Sequence, residues 1–319
     1  ILLQNTGSSE ISLSSLSSAD YSQIEELART LMAPGDTSVS LPSLRVDSYS
    51  VELARLTRAV RKTGLTLAPE AGSQRLRNVI NKNISEEDIF SSAQAAFANG
   101  WDSLKLYFML GLPTETDEDI EGIVHLVRRL DQLYREIHGN RRSLRMTVAV
   151  STFVPKAHTP FQWAAFLGRN EVERRQRLLL EKLRPPKFKV QTMDWEESKL
   201  EALLARGNRK TGRAIFLAWQ KGCRFDAWTE HFRPHLWAEA FAEAGIDVEV
   251  AAGEIPLAAA LPWDHIDIGV TKQFLLGELA RAKEAAGTPD CTLEKCSDCG
   301  VCAAFSVNPL KRRGKTACD

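Results

Sequence analysis

Four thiols stand close together late in this sequence, Cys291, Cys296, Cys299 and Cys302, with intervals of four, two and two residues. A short turn can bring sulfurs at such spacing inward onto one centre, and clustering of this kind favours a metal over disulfides. Zinc accepts four thiolates as a closed tetrahedral site. An iron–sulfur cluster takes the same ligands, and Gly300 between Cys299 and Cys302 would let backbone amides face its sulfurs. Spacing alone does not choose between the two metals. Cys318 is either a further ligand or a free tail thiol, and the isolated Cys223 reads as a small buried apolar residue.

A second set of chemically capable residues sits in turns that follow apolar runs. Leu106 to Leu112 is a continuous hydrophobic stretch ending in Gly111-Leu112-Pro113-Thr114-Glu115-Thr116, before the acids Asp117, Glu118 and Asp119. The run from Tyr107 to Leu110 predicts a strand covered on both faces; Gly111 permits close approach of a ligand, and the acids load a helix N-terminus. Upstream, Leu65-Thr66-Leu67-Ala68 leads into Pro69-Glu70-Ala71-Gly72-Ser73; downstream, Met146 to Phe153 leads into a Pro-flanked turn at His158. Arg45 and Asp47 end a further strand candidate, where a charged pair is either mutually bridged or used on a ligand, and Lys105 invites the same two readings. His158 is read as a solvated turn residue rather than a general base, and Glu70 as either a ligand-binding carboxylate or a cap for a helix over about residues 73–78.

The elements that must position these groups alternate. Strands are expected at about residues 9–14, 40–46, 65–68, 104–110 and 146–152, and helices at about 19–32, 50–62, 85–99, 117–138 and 170–184. Such alternation implies parallel strands with right-handed helical crossovers, an α/β fold in the form of an open or closed (β/α) barrel, with the polar turns at the carboxyl rim. Pro185-Pro186 breaks the last barrel helix, and Phe188 to Thr192 reads as a short strand or linker into a mainly helical region. Three units follow: a barrel portion at 1–187, an α-rich C-terminal extension at 188–286 and a Cys-rich metal-binding tail at 287–319.

Composition bounds the function classes. The chain has 319 residues, 44% hydrophobic and 26% charged, enough to bury a large core. Its 41 basic and 41 acidic residues give no global attraction to nucleic acid or an anionic membrane, and no apolar run is long enough to span a bilayer. A cytoplasmic protein is expected. The basic residues from Arg169 to Lys189 are interspersed with Leu178, Leu179, Leu180 and Leu183 and read as the solvated face of an amphipathic helix, with nucleic-acid contact kept as an alternative.

The ordered turns at Glu70-Ala71-Gly72-Ser73, Gly111-Leu112-Pro113-Thr114-Glu115-Thr116 and His158-Thr159-Pro160 resemble those after the fourth, fifth and sixth strands of a radical S-adenosylmethionine (radical SAM) barrel. The similarity extends to cobalamin-binding-type radical SAM proteins of unassigned substrate, through Ser40-Leu41-Pro42-Ser43-Leu44-Arg45-Val46-Asp47 and Leu261-Pro262-Trp263-Asp264. That family binds its catalytic 4Fe-4S cluster through a Cys-x3-Cys-x2-Cys loop, whereas this chain has no Cys before Cys223. The expectation is a C-terminal portion whose front would carry that loop and a cobalamin-type domain; the competing reading is a cluster-free barrel relative. Cys291 to Cys299 is not the displaced loop, because its first gap is one residue too long.

The resemblance implies that Glu70 and Ser73 bind the ribose hydroxyls or methionine end of S-adenosylmethionine. It also implies that Met109, Leu110 and Gly111 line its adenine, and that Arg45 or Asp47 meets its carboxylate or the substrate. It places an auxiliary iron–sulfur cluster ahead of zinc at the tail. It further implies 5′-deoxyadenosyl-radical chemistry (hydrogen abstraction, or methyl or group transfer), a reductant such as flavodoxin or ferredoxin, and an unspecified small or macromolecular substrate. The alternatives are a non-catalytic scaffold or electron-relay module and a tRNA-modifying relative.

Overall fold

The structure is a computed structural model that describes residues 2–13, 21, 23–33, 38–40, 65–139, 143–291 and 296–307. Arg45, Asp47, Cys318 and the expected helix at 50–62 lie outside the described residues.

The described elements, in chain order, are α1 (Leu2–Thr6), β1 (Glu10–Ser12), α2 (Ile24–Met32), β2 (Ser38–Ser40), β3 (Leu65–Glu70), α3 (Gln74–Val79), α4 (Glu86–Ala98), β4 (Ser103–Leu110) and α5 (Asp117–His138). They continue with β5 (Arg145–Thr152), α6 (Arg169–Lys182), β6 (Phe188–Thr192), α7 (Trp195–Ala205), α8 (Arg209–Gln220), α9 (Pro234–Glu243), α10 (Val248–Ala252), α11 (Lys272–Lys283) and α12 (Val301–Phe305). β1 and β2 pair in parallel, and β3, β4, β5 and β6 form a separate parallel sheet in that order. The architecture is an α/β fold whose parallel strands are joined by helical crossovers, which is how parallel neighbours must be connected.

Side chains on the sheet alternate. Leu104, Leu106, Phe108 and Leu110 of β4 and Met146, Val148 and Val150 of β5 pack with Ile120, Val127, Leu130 and Tyr134 of α5 and Phe97 of α4 in the largest core. Lys105, Tyr107 and Met109 point to the opposite face, and Tyr107 is 40% exposed. The expected two-sided covering of Tyr107 to Leu110 is therefore corrected: among the described residues only one face of this strand is buried, because the alternation of β4 turns every second side chain away from the helices.

α5 runs over the 22 residues its sequence predicts. Thr116 and Asp119 form a reciprocal capping box at its start, and Gly139 at φ 66° follows its end. β6 hydrogen-bonds to β5 from Met146↔Phe188 to Val150↔Thr192, so of the two readings of this segment, short strand or linker, the strand is the one formed, and it joins the β3–β5 sheet. Beyond it, α7 to α10 enclose a second core that includes Leu203, Leu217, Trp237 and Phe241, with Cys223 buried among them as expected of a lone apolar cysteine. A third core joins α3, Leu112, Phe161 and Trp163 to Leu261, Trp263 and α11. No helix among the described residues is long and apolar enough to cross a membrane.

Candidate functional site

The carboxyl ends of β4 and β5, with the end of α3 and the segment after it, open into a cavity of about 1050 Å³. Its walls include Met109 and Leu112 from the β4 turn, Phe153 and His158 after β5, and Asn81, Lys82 and Asn83 after α3. Phe274 and Glu278 of α11, Thr288 and Cys291 close the far side.

β3 delivers Glu70 through an irregularity: its register against β4 shifts between Leu67 and Glu70, and Glu70 adopts φ 67°. This left-handed conformation costs a non-glycine residue roughly 1–2 kcal/mol. Burial pushes the Glu70 carboxyl above its usual range, opposed by the Lys82 ammonium 3.5 Å away. Lys82 itself lines the cavity, and Glu70 is joined to it by this ion pair.

Ser73 caps α3: its Oγ accepts from Leu76 N at 3.0 Å and donates to Asp119. The hydroxyl proton expected on a cofactor is thus committed locally, and one lone pair remains. Asp119 also accepts from Arg75 and from Thr116 N at 2.8 Å. Burial raises its pKa, but these donors together hold it below the ordinary carboxylate value. The turn after β3 and the N-terminus of α5 are locked to each other through this one side chain.

Gly111, at φ 86°, donates its amide to Glu115 Oε2 at 2.6 Å. That donor, expected to face a ligand, is engaged within the turn. Glu115 also binds Arg175 of α6, which holds Glu171 at 2.8 Å, while Glu115 Oε1 is buried without a partner. Burial pushes Glu115 up to about 7, against the Gly111 amide and the Arg175 charge. Because the folded value lies above the unfolded one, the stability it contributes is present below about pH 4.5 and is lost as pH rises through about 7. Glu115→Gln keeps an acceptor for Gly111 and removes the titration. Urea midpoints at about pH 5 and pH 8 are expected to differ less in the variant than in the parent; equal differences would remove Glu115 from the pH response.

Met109 and His158 both line the cavity, whereas Leu110 is turned into the helix-covered core. His158 adopts φ 57°, its amide donates to Gln162 Oε1 at 3.1 Å, and the same oxygen accepts from Trp263 Nε1 at 2.6 Å. The β5 turn is thereby tied to the Leu261–Asp264 segment.

Reading along the sequence misses the wall made by Asn81, Asn83 and Thr288. Thr288 N donates to Asn81 Oδ1 at 2.8 Å and its hydroxyl to Glu278 at 2.7 Å, joining positions about 200 residues apart. The Asn81-Lys82-Asn83 cluster of polar residues between two helices was the available signal.

The tail reaches this wall. Burial pushes the Cys291 thiol up, and Asp290, Cys299 and Cys302 add to the effect by their proximity. Asp298 N donates to Cys296 Sγ at 3.5 Å, and Thr271 N to Cys299 O at 2.9 Å. Cys296 is disulfide-bonded, and among the described residues no three His, Cys, Asp or Glu side chains are grouped to hold a metal.

Residues 1–127 match the Radical SAM superfamily, whose members generally use S-adenosylmethionine and a 4Fe-4S cluster. An uncharacterized protein of Methanocaldococcus jannaschii is 33% identical over 208 residues, 65% of this chain and 43% of that protein. The chain thus spans less than half the length of that relative. N-acetylneuraminate lyase of Proteus mirabilis aligns over 86% of this chain and 98% of its own, at 14% identity and a TM-score of 0.22, too low to carry an argument.

Proposed function

We propose that the cavity at the ends of β4 and β5 binds S-adenosylmethionine, and that the chain is the cofactor-binding portion of a partial (β/α) barrel of radical SAM type. The observation that carries this reading is Lys82, which lines a cavity of mixed apolar and polar walls and is ion-paired to Glu70, within the segment that matches the superfamily.

The donor set fits the ligand. S-adenosylmethionine offers ribose hydroxyls and an ammonium to a carboxylate, a carboxylate to an ammonium, and a flat adenine to apolar walls such as Met109, Leu112 and Phe153. Drug-sized ligands fill cavities of roughly 300–1000 Å³, so this one has room for a substrate beside the cofactor. Glu70 would orient the ribose or the methionine end, Lys82 the carboxylate, and Phe153 and Phe161 would exclude water. Arg45 is proposed as a further carboxylate contact on the resemblance alone.

Electron transfer that cleaves S-adenosylmethionine is what a 4Fe-4S cluster supplies when three thiolates hold it. Residues 1–222 contain no Cys, so no residue of this chain is assigned to that cluster, and none to cobalamin. Among the described residues the tail cysteines are not grouped to hold a metal, and no step is derived through them. Cys291, Cys299 and Cys302, joined by Cys296 once its disulfide is reduced to a thiol, are proposed as auxiliary iron–sulfur or zinc ligands on their spacing. Metal analysis of chain purified without oxygen is expected to find iron and sulfide, or zinc, that is lost when Cys296, Cys299 and Cys302 are changed to Ala; equal metal in both proteins removes the tail as the binding site.

Titration calorimetry tests the main reading. The chain is expected to bind S-adenosylmethionine and, treated with dithionite, to form no 5′-deoxyadenosine on its own. Absence of binding would leave the scaffold alternative standing, and formation of 5′-deoxyadenosine would overturn the account of the cluster.

A further inference from the structure

The charge balance of the whole chain hides a local excess. Residues 202–225 carry Arg206, Arg209, Lys210, Arg213, Lys221 and Arg224 and not a single Asp or Glu. On the same stretch and the turn after it, Phe216 is 47% exposed, Trp219 53%, Phe225 72% and Trp228 62%. One exposed aromatic is ordinary; four within thirteen residues, two of them Trp, are a concentration of exposed apolar surface of the kind that marks a binding site.

The arrangement is ordered. α8 buries Thr211, Ala214, Leu217 and Ala218, which fixes the helix by one face. At 100° per residue, Arg209, Arg213 and Phe216 fall along one line of the opposite face, with Trp219 on its flank. Phe216 and Trp219 stack with ring centroids 6.0 Å apart and planes 26° from parallel. The Arg224 guanidinium lies over Trp219 at 4.7 Å, held by hydrogen bonds to the carbonyls of Trp219 and Cys223. Phe225 and Trp228 follow in the next turn, with Trp228 N bonded to Phe225 O at 2.9 Å and the Phe225 ring 6.0 Å from that of His231. Lys221 is occupied by Glu239 and Glu243, but Arg209 and Arg213 form no ion pair among the described residues.

We propose that this face of α8 and the turn following it bind single-stranded nucleic acid. Phe216, Trp219, Phe225 and Trp228 present flat faces on which unpaired bases stack, while Arg209 and Arg213 meet phosphates. Aromatic platforms interleaved with cations are what binding without base-specific hydrogen bonds requires, and Asp226, between Phe225 and Trp228, is engaged as the acceptor of Trp237 Nε1 at 3.2 Å. A duplex keeps its bases stacked on each other and cannot use these rings. None of these residues lines the rim cavity, so the inference does not rest on S-adenosylmethionine binding.

Fluorescence anisotropy of a labelled oligouridylate of about 20 nucleotides, alone and annealed to its complement, tests the proposal on the full chain. The single strand is expected to bind at about 50 mM salt, at least ten-fold tighter than the duplex, and oligodeoxythymidylate to bind comparably to the RNA. The double variant Phe216→Ala with Trp219→Ala should lose roughly ten-fold or more, with an unchanged circular dichroism melt because both side chains are exposed. Arg209→Glu with Arg213→Glu should weaken binding and lower the salt slope by about 1.4, two phosphate contacts. The proposal is overturned if the single strand does not bind, if the duplex binds equally, or if the aromatic variant binds like the parent. Self-association that the aromatic variant abolishes, with oligonucleotide affinity unchanged, would assign the face to a second copy of the chain.

Discussion

Glu70→Ala is expected to weaken S-adenosylmethionine binding by about ten- to hundred-fold, the worth of a hydrogen bond to a charged group in a partly dry site. The expectation rests on three properties of one position. Glu70 ends β3 beyond a register shift, keeps a left-handed φ of 67° that glycine would adopt without strain, and retains a carboxyl that burial pushes above its usual range against the Lys82 charge. A carboxylic acid kept where glycine is sterically better argues for use of the acid. Glu70→Gly separates the two effects. It should stabilise the fold modestly, by up to about 1 kcal/mol, while binding is lost. Calorimetry and urea unfolding measured side by side check both; retention of full affinity by either variant removes Glu70 from the site. Lys82→Met is expected to weaken binding in the same direction, since it removes the cation that faces the cavity beside Glu70.

Gly72→Ala should produce the largest loss of stability, about 3 kcal/mol or more, at the upper end of what overpacking costs. A Cβ at this position would collide with Ile123 N and stand 2.5 Å from Asp119 O and 2.7 Å from the Gly122 carbonyl carbon. All three are backbone atoms of α5, so no side chain can rotate out of the way. Gly122 faces Gly72 reciprocally, its own Cβ meeting Gly72 C at 2.9 Å. The contact lets the turn after β3 lie directly on α5, where Asp119 gathers Ser73, Arg75 and Thr116. Gly212→Ala, in open space on α8, is the control and should stabilise by up to about 1 kcal/mol as a helix-interior glycine replaced by alanine. Denaturant midpoints decide between them; a neutral Gly72→Ala would mean that the turn and α5 separate easily.

Much of the frame was legible because local signals were strong. Thr116 and the acids after it mark the start of α5, and Gly139 its end, so a 22-residue helix could be placed without tertiary information. The apolar run of β4 likewise placed the strand, but not its sides: one-dimensional hydrophobicity cannot reveal that Tyr107 and Met109 face away from the helices while Phe108 and Leu110 face them. Phe188 to Thr192, short and mostly exposed, carried too weak a pattern to be assigned to the sheet it joins. At the site, the sequence left the side of β4 that Met109 takes undecided and read His158 as solvated, whereas both line the cavity. The assignments of Ser73 and Gly111 were less complete, because partners 46 and 4 residues away take their donors. The wall of Asn81, Asn83 and Thr288 depends on contacts across about 200 residues, which no periodicity encodes. Arg45, outside the described residues, stands as the resemblance left it.

Hydrogen–deuterium exchange of the full chain with and without S-adenosylmethionine tests the central claim most directly. Slower exchange is expected in peptides over residues 68–84, 107–114 and 152–162, which converge on the cavity from the segment after β3 and the ends of β4 and β5. Saturating cofactor that leaves those three segments unchanged, or protects only a region away from them, would contradict the account.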